Sequence, residues 1–117
     1  MDYRFRAGSH IRRRPEFQQV YETGARLHGR LMTVFVLPRS DSRTRLGIAA
    51  TRKLGGAVVR NRAKRLVREV FRQHKNPPGL DIVVVPRPAL LNAAIGAIES
   101  DYASCVDRRG RRTRPPS

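Results

Sequence analysis

The apolar positions of this 117-residue chain change period along its length, and each change marks an element. Phe17, Val20 and Tyr21 follow at i, i+3, i+4 spacing behind Pro15 and Glu16, and Gly24 closes the segment. Proline suits the first helical turn, an acidic side chain suits the positive helix end, and glycine suits the exit, so a short helix is predicted. Residues 31–37 (Leu-Met-Thr-Val-Phe-Val-Leu) are apolar and β-branched between breakers and predict a strand. Pro38-Arg39-Ser40-Asp41-Ser42 turns the chain, and residues 45–51 predict a second strand, the hairpin partner of the first. Leu54-Gly55-Gly56 then reads as a joint before a helix over 57–74. At about 100° per residue from Arg60, Val59, Ala63, Leu66, Val67, Val70 and Phe71 share one arc, from about 240° round to about 20°. Asn61, Arg62, Lys64, Arg65, Arg68, Glu69 and Arg72 fill the other side. Asn76-Pro77-Pro78-Gly79 ends that helix. Ile82-Val83-Val84-Val85, apolar on both faces, predicts a buried central strand over 80–85. Residues 89–105 predict a last helix with Leu91, Ala94, Ile95, Ile98, Tyr102 and Cys105 on one stripe.

The flanks have little to bury. Residues 1–10 read as a basic N-terminal arm, 11–106 as one folded domain, and 107–117 as a disordered Arg-rich tail. The order helix, strand, strand, helix, strand, helix predicts an α/β (α+β) two-layer sandwich, with a small, mainly antiparallel sheet packed on helices.

Charge sharpens this picture. There are 25 Lys and Arg against 9 Asp and Glu, a formal net charge of +16, and nearly all the basic residues are arginine. Such an imbalance repels itself and favours a compact state with an anionic partner bound. Arginine favours bidentate phosphate contact and stacking on bases, which points to nucleic acid ahead of an anionic membrane or an acidic protein. The basic helix concentrates the effect, since Glu69 is the only acid between Lys53 and Lys75. Its like-charged pairs at i, i+4 (Arg60/Lys64, Lys64/Arg68, Arg68/Arg72) each cost a few tenths of a kcal/mol. A solvated face would carry balancing acids; this one is built to meet a polyanion. The single Cys105 excludes an internal disulfide and a multi-cysteine zinc site. With no signal-peptide pattern and no apolar run of transmembrane length, the expectation is a cytoplasmic protein without membrane partners.

Catalytic chemistry is not legible in the chain. The carboxylates are scattered without metal-site spacing, Glu99 and Asp101 point to different sides of a helix, and His10, His28 and His74 sit near element ends. No catalytic residue and no metal ligand is expected. Phe17, Tyr21 and Phe35 admit two readings: ordinary core packing, or a stacking platform beside a basic groove for single-stranded nucleotides. Gly55-Gly56 likewise reads either as a loop joint or as a place where phosphate approaches the free N–H groups of the helix.

The stretch Arg52-Lys53-Leu54-Gly55-Gly56-Ala57-Val58-Val59-Arg60-Asn61-Arg62-Ala63-Lys64-Arg65-Leu66-Val67-Arg68-Glu69-Val70-Phe71-Arg72 closely resembles the signature of the bacterial ribonuclease P protein subunit. Phe17-Gln18-Gln19-Val20-Tyr21 is similar to that family's first helix, Leu46-Gly47-Ile48 to its strand before the signature, and Asp81 to Arg87 to the strand after it. The likeness spans roughly 11–105, and the chain departs from it at Gly56, where the family often has Asn. The resemblance implies a ribosomal-protein-like fold with a left-handed βαβ crossover. It implies as partners the catalytic RNA of ribonuclease P and precursor tRNA, whose 5′ leader is removed by the RNA with Mg2+ held mainly by RNA and substrate. By position it implies an RNA-facing set of Arg52, Lys53, Arg60, Asn61, Arg62, Lys64, Arg65 and Arg68. Phe17, Tyr21 and Phe35 would line the leader cleft, and the protein would be monomeric apart from the holoenzyme.

Two rivals stay open on the sequence. A structural RNA-binding protein of ribosomal type fits composition and fold class equally well. A sequence-specific DNA binder is disfavoured, because Gly55-Gly56 and flanking strands stand where a helix-turn-helix would precede a recognition helix.

Overall fold

The computed structural model describes Ile11 and residues 13–112. The basic arm expected over 1–10 and the tail beyond Arg112 lie outside the described residues. The elements run α1 (Arg14–Thr23), β1 (Ala25–His28), β2 (Met32–Pro38), β3 (Arg45–Ile48), α2 (Ala57–Gln73), β4 (Leu80–Pro86) and α3 (Ile95–Arg112). Short 3-10 turns at Arg52–Leu54 and Pro88–Asn92 precede α2 and α3.

The four strands form one sheet in the order β1-β2-β4-β3. β2 pairs antiparallel with β1 and with β4, while β3 lies parallel to β4, with Leu46 opposite Ile82 and Ile48 opposite Val84. The sequence expectation that residues 45–51 form the hairpin partner of β2 is therefore corrected. That hairpin is made by β1, and β3 reaches the sheet's far edge, from which the chain crosses through α2 into β4.

Strand alternation divides the side chains between two faces. Met32, Val34, Val36, Ile82 and Val84 share one cluster with Val67 and Val70 of α2 and with Ile98, Tyr102, Cys105 and Val106 of α3. On the other face, Val83 packs with Val20 of α1 and with Ile11, and Phe17, Tyr21, Phe35 and Leu37 cover them. The sheet thus carries α2 and α3 on one side and α1 on the other, which explains why β4 is apolar on both faces.

Local chemistry fixes the joints. Pro15 opens α1, and the Glu16 carboxylate accepts the Arg13 backbone N–H at 3.2 Å, satisfying a donor at the helix start. At the end of α2, Asn76 Nδ2 donates to the carbonyls of Phe71 (2.9 Å) and His74 (3.1 Å). Its Oδ1 accepts from the Tyr102 hydroxyl at 2.6 Å, tying α2 to α3. The Asp101 carboxylate accepts the backbone N–H groups of Arg30 (2.8 Å) and Leu31 (3.0 Å) and so pins the β1–β2 turn to α3.

The last helix differs from its expected span. Pro88 opens a 3-10 turn that ends at Ala93, whose ψ of 151° is extended, so α3 begins only at Ile95. Ile98, Tyr102 and Cys105 are buried as expected, but Ala94 and Ile95 are exposed. α3 also runs to Arg112, past residue 107, where disorder is expected from the sequence.

Candidate nucleic-acid interface

Phe17 and Tyr21 stand one turn apart on α1, with ring centroids 6.3 Å apart. Tyr21 meets Phe35 edge to face at 4.9 Å and 74°. Alternation turns Phe35 toward α1 while its neighbours Val34 and Val36 enter the opposite core. Arg26, the register partner of Phe35 on β1, holds its guanidinium carbon 5.8 Å from the Phe35 centroid, a cation–π placement. All three rings are half-buried. They pack over the small core of Val83, Val20 and Ile11 and leave part of their surface to solvent. Burial pushes the Tyr21 hydroxyl above its ordinary value.

The position of Phe17 has a backbone requirement at Gly47. A β-carbon there would lie 2.8 Å from Phe17 Cζ, so only glycine lets the ring settle on β3. A glycine inside a strand signals a close approach of this kind, and that signal was available in the sequence. Farther along the same face, Arg87 Nη2 reaches Thr33 Oγ1 at 3.3 Å and lies 3.4 Å from His28 Nδ1. Neither Arg26 nor Arg87 is singled out by the sequence reading. Both follow from alternation once β1 and the register are known.

The basic helix folds as its periodicity predicts. Ala63, Val67 and Val70 are buried, and Val59, Leu66 and Phe71 are half-buried. Asn61, Arg62, Arg65 and Arg68 are exposed, while Arg60 and Lys64 are half-buried on the flank of the stripe. Arg60 Nε is shielded from water and has no hydrogen-bond partner among the described residues. Val58 stands 84% exposed on the same outward side, an apolar spot within the cationic surface. Arg72 pairs with Glu69, which also accepts Gln73 Nε2 at 2.7 Å, so the one acid of this helix is engaged at its C-terminal end. Arg52 and Lys53 are exposed in the 3-10 turn that leads into α2.

The glycine joint divides in two. Gly55 has φ of 136°, a conformation side chains rarely adopt, whereas Gly56 has φ of −75° and a β-carbon there would meet nothing within 4 Å. Only Gly55 is demanded by the backbone. The structure brings the three aromatic candidates together on one face of the sheet and seats the α2 cations on a helix packed against the other.

Asp81, Glu16 and Asp41 are committed to arginines. Asp81, 7% exposed, receives Arg45 through two bonds of 2.8 and 2.9 Å and Arg39 through one of 3.1 Å. Arg45 reaches on to Glu16 at 2.7 Å, and Arg39 grips Asp41 through bonds of 3.0 and 2.8 Å. The Arg39 guanidinium, with the Arg43 N–H, holds the Asp41 carboxyl well below the usual carboxylate range. Among the described residues, no three His, Cys, Asp or Glu side chains come together as metal ligands. Among the described residues no helix is long and apolar enough to cross a membrane.

Fold and site together define a small α/β protein with an outward cationic helix and a cluster of half-buried aromatic rings over its sheet. Comparison with known proteins places that description in a family. The family profile described as Ribonuclease P matches residues 5–110. The ribonuclease P protein component of Desulfovibrio desulfuricans is 48% identical over 97 residues, 80% of this chain and 71% of that protein. The ribonuclease P protein of Thermotoga maritima superposes with a TM-score of 0.77 at 32% identity, covering 85% of this chain and 96% of that one. That of Staphylococcus aureus gives 0.76 at 28% identity, covering 86% and 94%. The chain belongs to the ribonuclease P protein family, the protein components of an endoribonuclease of tRNA processing. The α/β fold expected from the sequence is that of the solved family members.

Proposed function

We propose that this chain is the protein subunit of a ribonuclease P holoenzyme, binding the catalytic RNA and the 5′ leader of precursor tRNA and so promoting endonucleolytic removal of the leader. The observation that carries the reading is the half-buried trio Phe17–Tyr21–Phe35, with the Arg26 guanidinium over its last ring. Rings exposed at one edge beside a cation suit single-stranded nucleotides, whose bases stack at about 1–3 kcal/mol each with little regard to sequence. The α2 face, with Arg60, Asn61, Arg62, Lys64, Arg65 and Arg68, and Arg52 and Lys53 before it, suits the phosphates of a folded RNA. Phosphate contacts fix register and orientation; stacked rings hold the strand leading to the scissile bond. In this reading Mg2+ belongs to the RNA and substrate and supplies the hydrolytic chemistry, while the protein's residues bind and orient. The chain acts as a cytoplasmic monomer within the holoenzyme.

The test is cleavage of a precursor tRNA at low Mg2+ by a bacterial ribonuclease P RNA, with and without this protein. Protein-dependent cleavage at the mature 5′ end is expected. Tight RNA binding with no gain in cleavage would leave a structural RNA-binding protein instead.

A further inference from the structure

We propose that Glu16 and Arg45 are positioning residues for the leader cleft, setting where α1 rests on the sheet and hence where Phe17 presents its ring; this rests on the leader reading above. Three adjacent residues at the start of β3 are joined to Ile11 and to the first turn of α1 by three different contacts. The Ile11 backbone N–H donates to the Leu46 carbonyl at 3.0 Å. Phe17 lies on Gly47. Between them, Arg45 Nη1 donates to Glu16 Oε2 at 2.7 Å, while Glu16 Oε1 accepts the Arg13 N–H at 3.2 Å. Glu16 thus serves the helix start with one oxygen and the sheet with the other.

The sheet end of this link is stiff. Arg45 presents Nε and Nη2 to the two oxygens of Asp81, a fork geometry that leaves the guanidinium little freedom to turn. Asp81 sits on β4, nearly out of water, and is braced again by Arg39. The side chains of Arg45 and Glu16 are only 17% and 31% exposed, so this is no solvated surface pair. One planar group therefore transmits the position of the central strand to the first turn of α1, one residue before Phe17. In a chain with so few acids, a carboxylate bonded on both oxygens at this point answers a geometric need, because charge balance alone could be met anywhere.

The experiment uses the holoenzyme assembled on a bacterial ribonuclease P RNA and measures leader gain, the ratio of affinity for precursor tRNA to that for mature tRNA. Glu16→Ala is expected to lower the gain by about fivefold, a coupling of ordinary size for contacting residues. Glu16→Gln, which keeps an acceptor for Arg45, should retain most of it. Affinity for the catalytic RNA alone should not move in either variant. In a Phe17→Ala background, Glu16→Ala should cause no further loss, since its effect passes through that ring. A full loss persisting there, or a gain untouched by Glu16→Ala while Phe17→Ala removes it, overturns the positioning role. If Phe17→Ala itself leaves the gain unchanged, the leader reading fails and this inference falls with it.

Discussion

Phe17 rests on the backbone of Gly47 so closely that a β-carbon there would stand 2.8 Å from Cζ and 2.9 Å from Cε1, with Ile11 Cβ at 3.1 Å. Gly47→Ala should therefore push the ring off β3 and destabilise the fold by about 1–3 kcal/mol, the usual range for overpacking. Urea unfolding checks it. Adding Phe17→Leu, which removes the far end of the ring, should recover part of the loss. An unchanged midpoint in the alanine variant would mean the contact is loose.

The two glycines before α2 should behave differently. Gly55→Ala forces a side chain into φ of 136° and is expected to cost about 1–3 kcal/mol. Gly56→Ala meets open space at an ordinary φ and should be neutral, or stabilising by up to about 1 kcal/mol through the unfolded chain. Paired thermal and denaturant melts separate them, and equal effects at both sites would contradict the backbone geometry.

Salt dependence reads out the α2 face. Arg65→Ala with Arg68→Ala should flatten the plot of log binding constant for the catalytic RNA against log salt, by about 0.7–0.9 for each phosphate no longer neutralised. Arg72→Ala removes a side chain already paired with Glu69 and should flatten it less. A double variant with the parental slope would remove these arginines from the RNA interface.

Alkaline pH should report on the α2–α3 junction. Burial, aided by the charge of Asp107, holds the Tyr102 hydroxyl well above its ordinary value of 10.0. Above that pH the unfolded chain releases the proton while the folded chain keeps it, so stability is fully present below pH 10 and falls as pH rises beyond it. Tyr102→Phe should blunt this decline. At neutral pH the same variant should lose about 1–2 kcal/mol, because Asn76 Oδ1 is left without its 2.6 Å donor. Urea melts at pH 7 and pH 11 test both statements.

What the sequence disclosed follows from which forces act locally. Helix α2 was legible because its apolar stripe, cationic side and Pro-Gly exit all agree at short range. β4 declared itself by an apolar run that only a sheet covered on both faces explains. β1 was missed because Ala-Arg-Leu-His carries a single buried residue, Leu27, and no β-branched side chain. The partner of β3 was misassigned because strand pairing depends on topology, and a crossover through α2 leaves no mark in β3 itself. Phe17 and Tyr21 were legible as neighbours on one helix face, since a helical repeat places them, whereas their meeting with Phe35 depends on which side of the sheet α1 covers. The Glu16–Arg45 link was not, because its partners lie 29 positions apart and neither has an unusual neighbour.

The parallel pairing of β3 with β4 also has a consequence for how the chain comes together. β4 is the strand that joins β2 to β3, and β3 is connected to it only through α2, so the sheet closes through a helix whose outward side is full of like charges. Non-local pairing of this kind is slow, and repulsion along α2 raises the same step further. The pairing of β3 with β4 therefore waits on the packing of α2, and the far edge of the sheet and the helix that covers it are completed together.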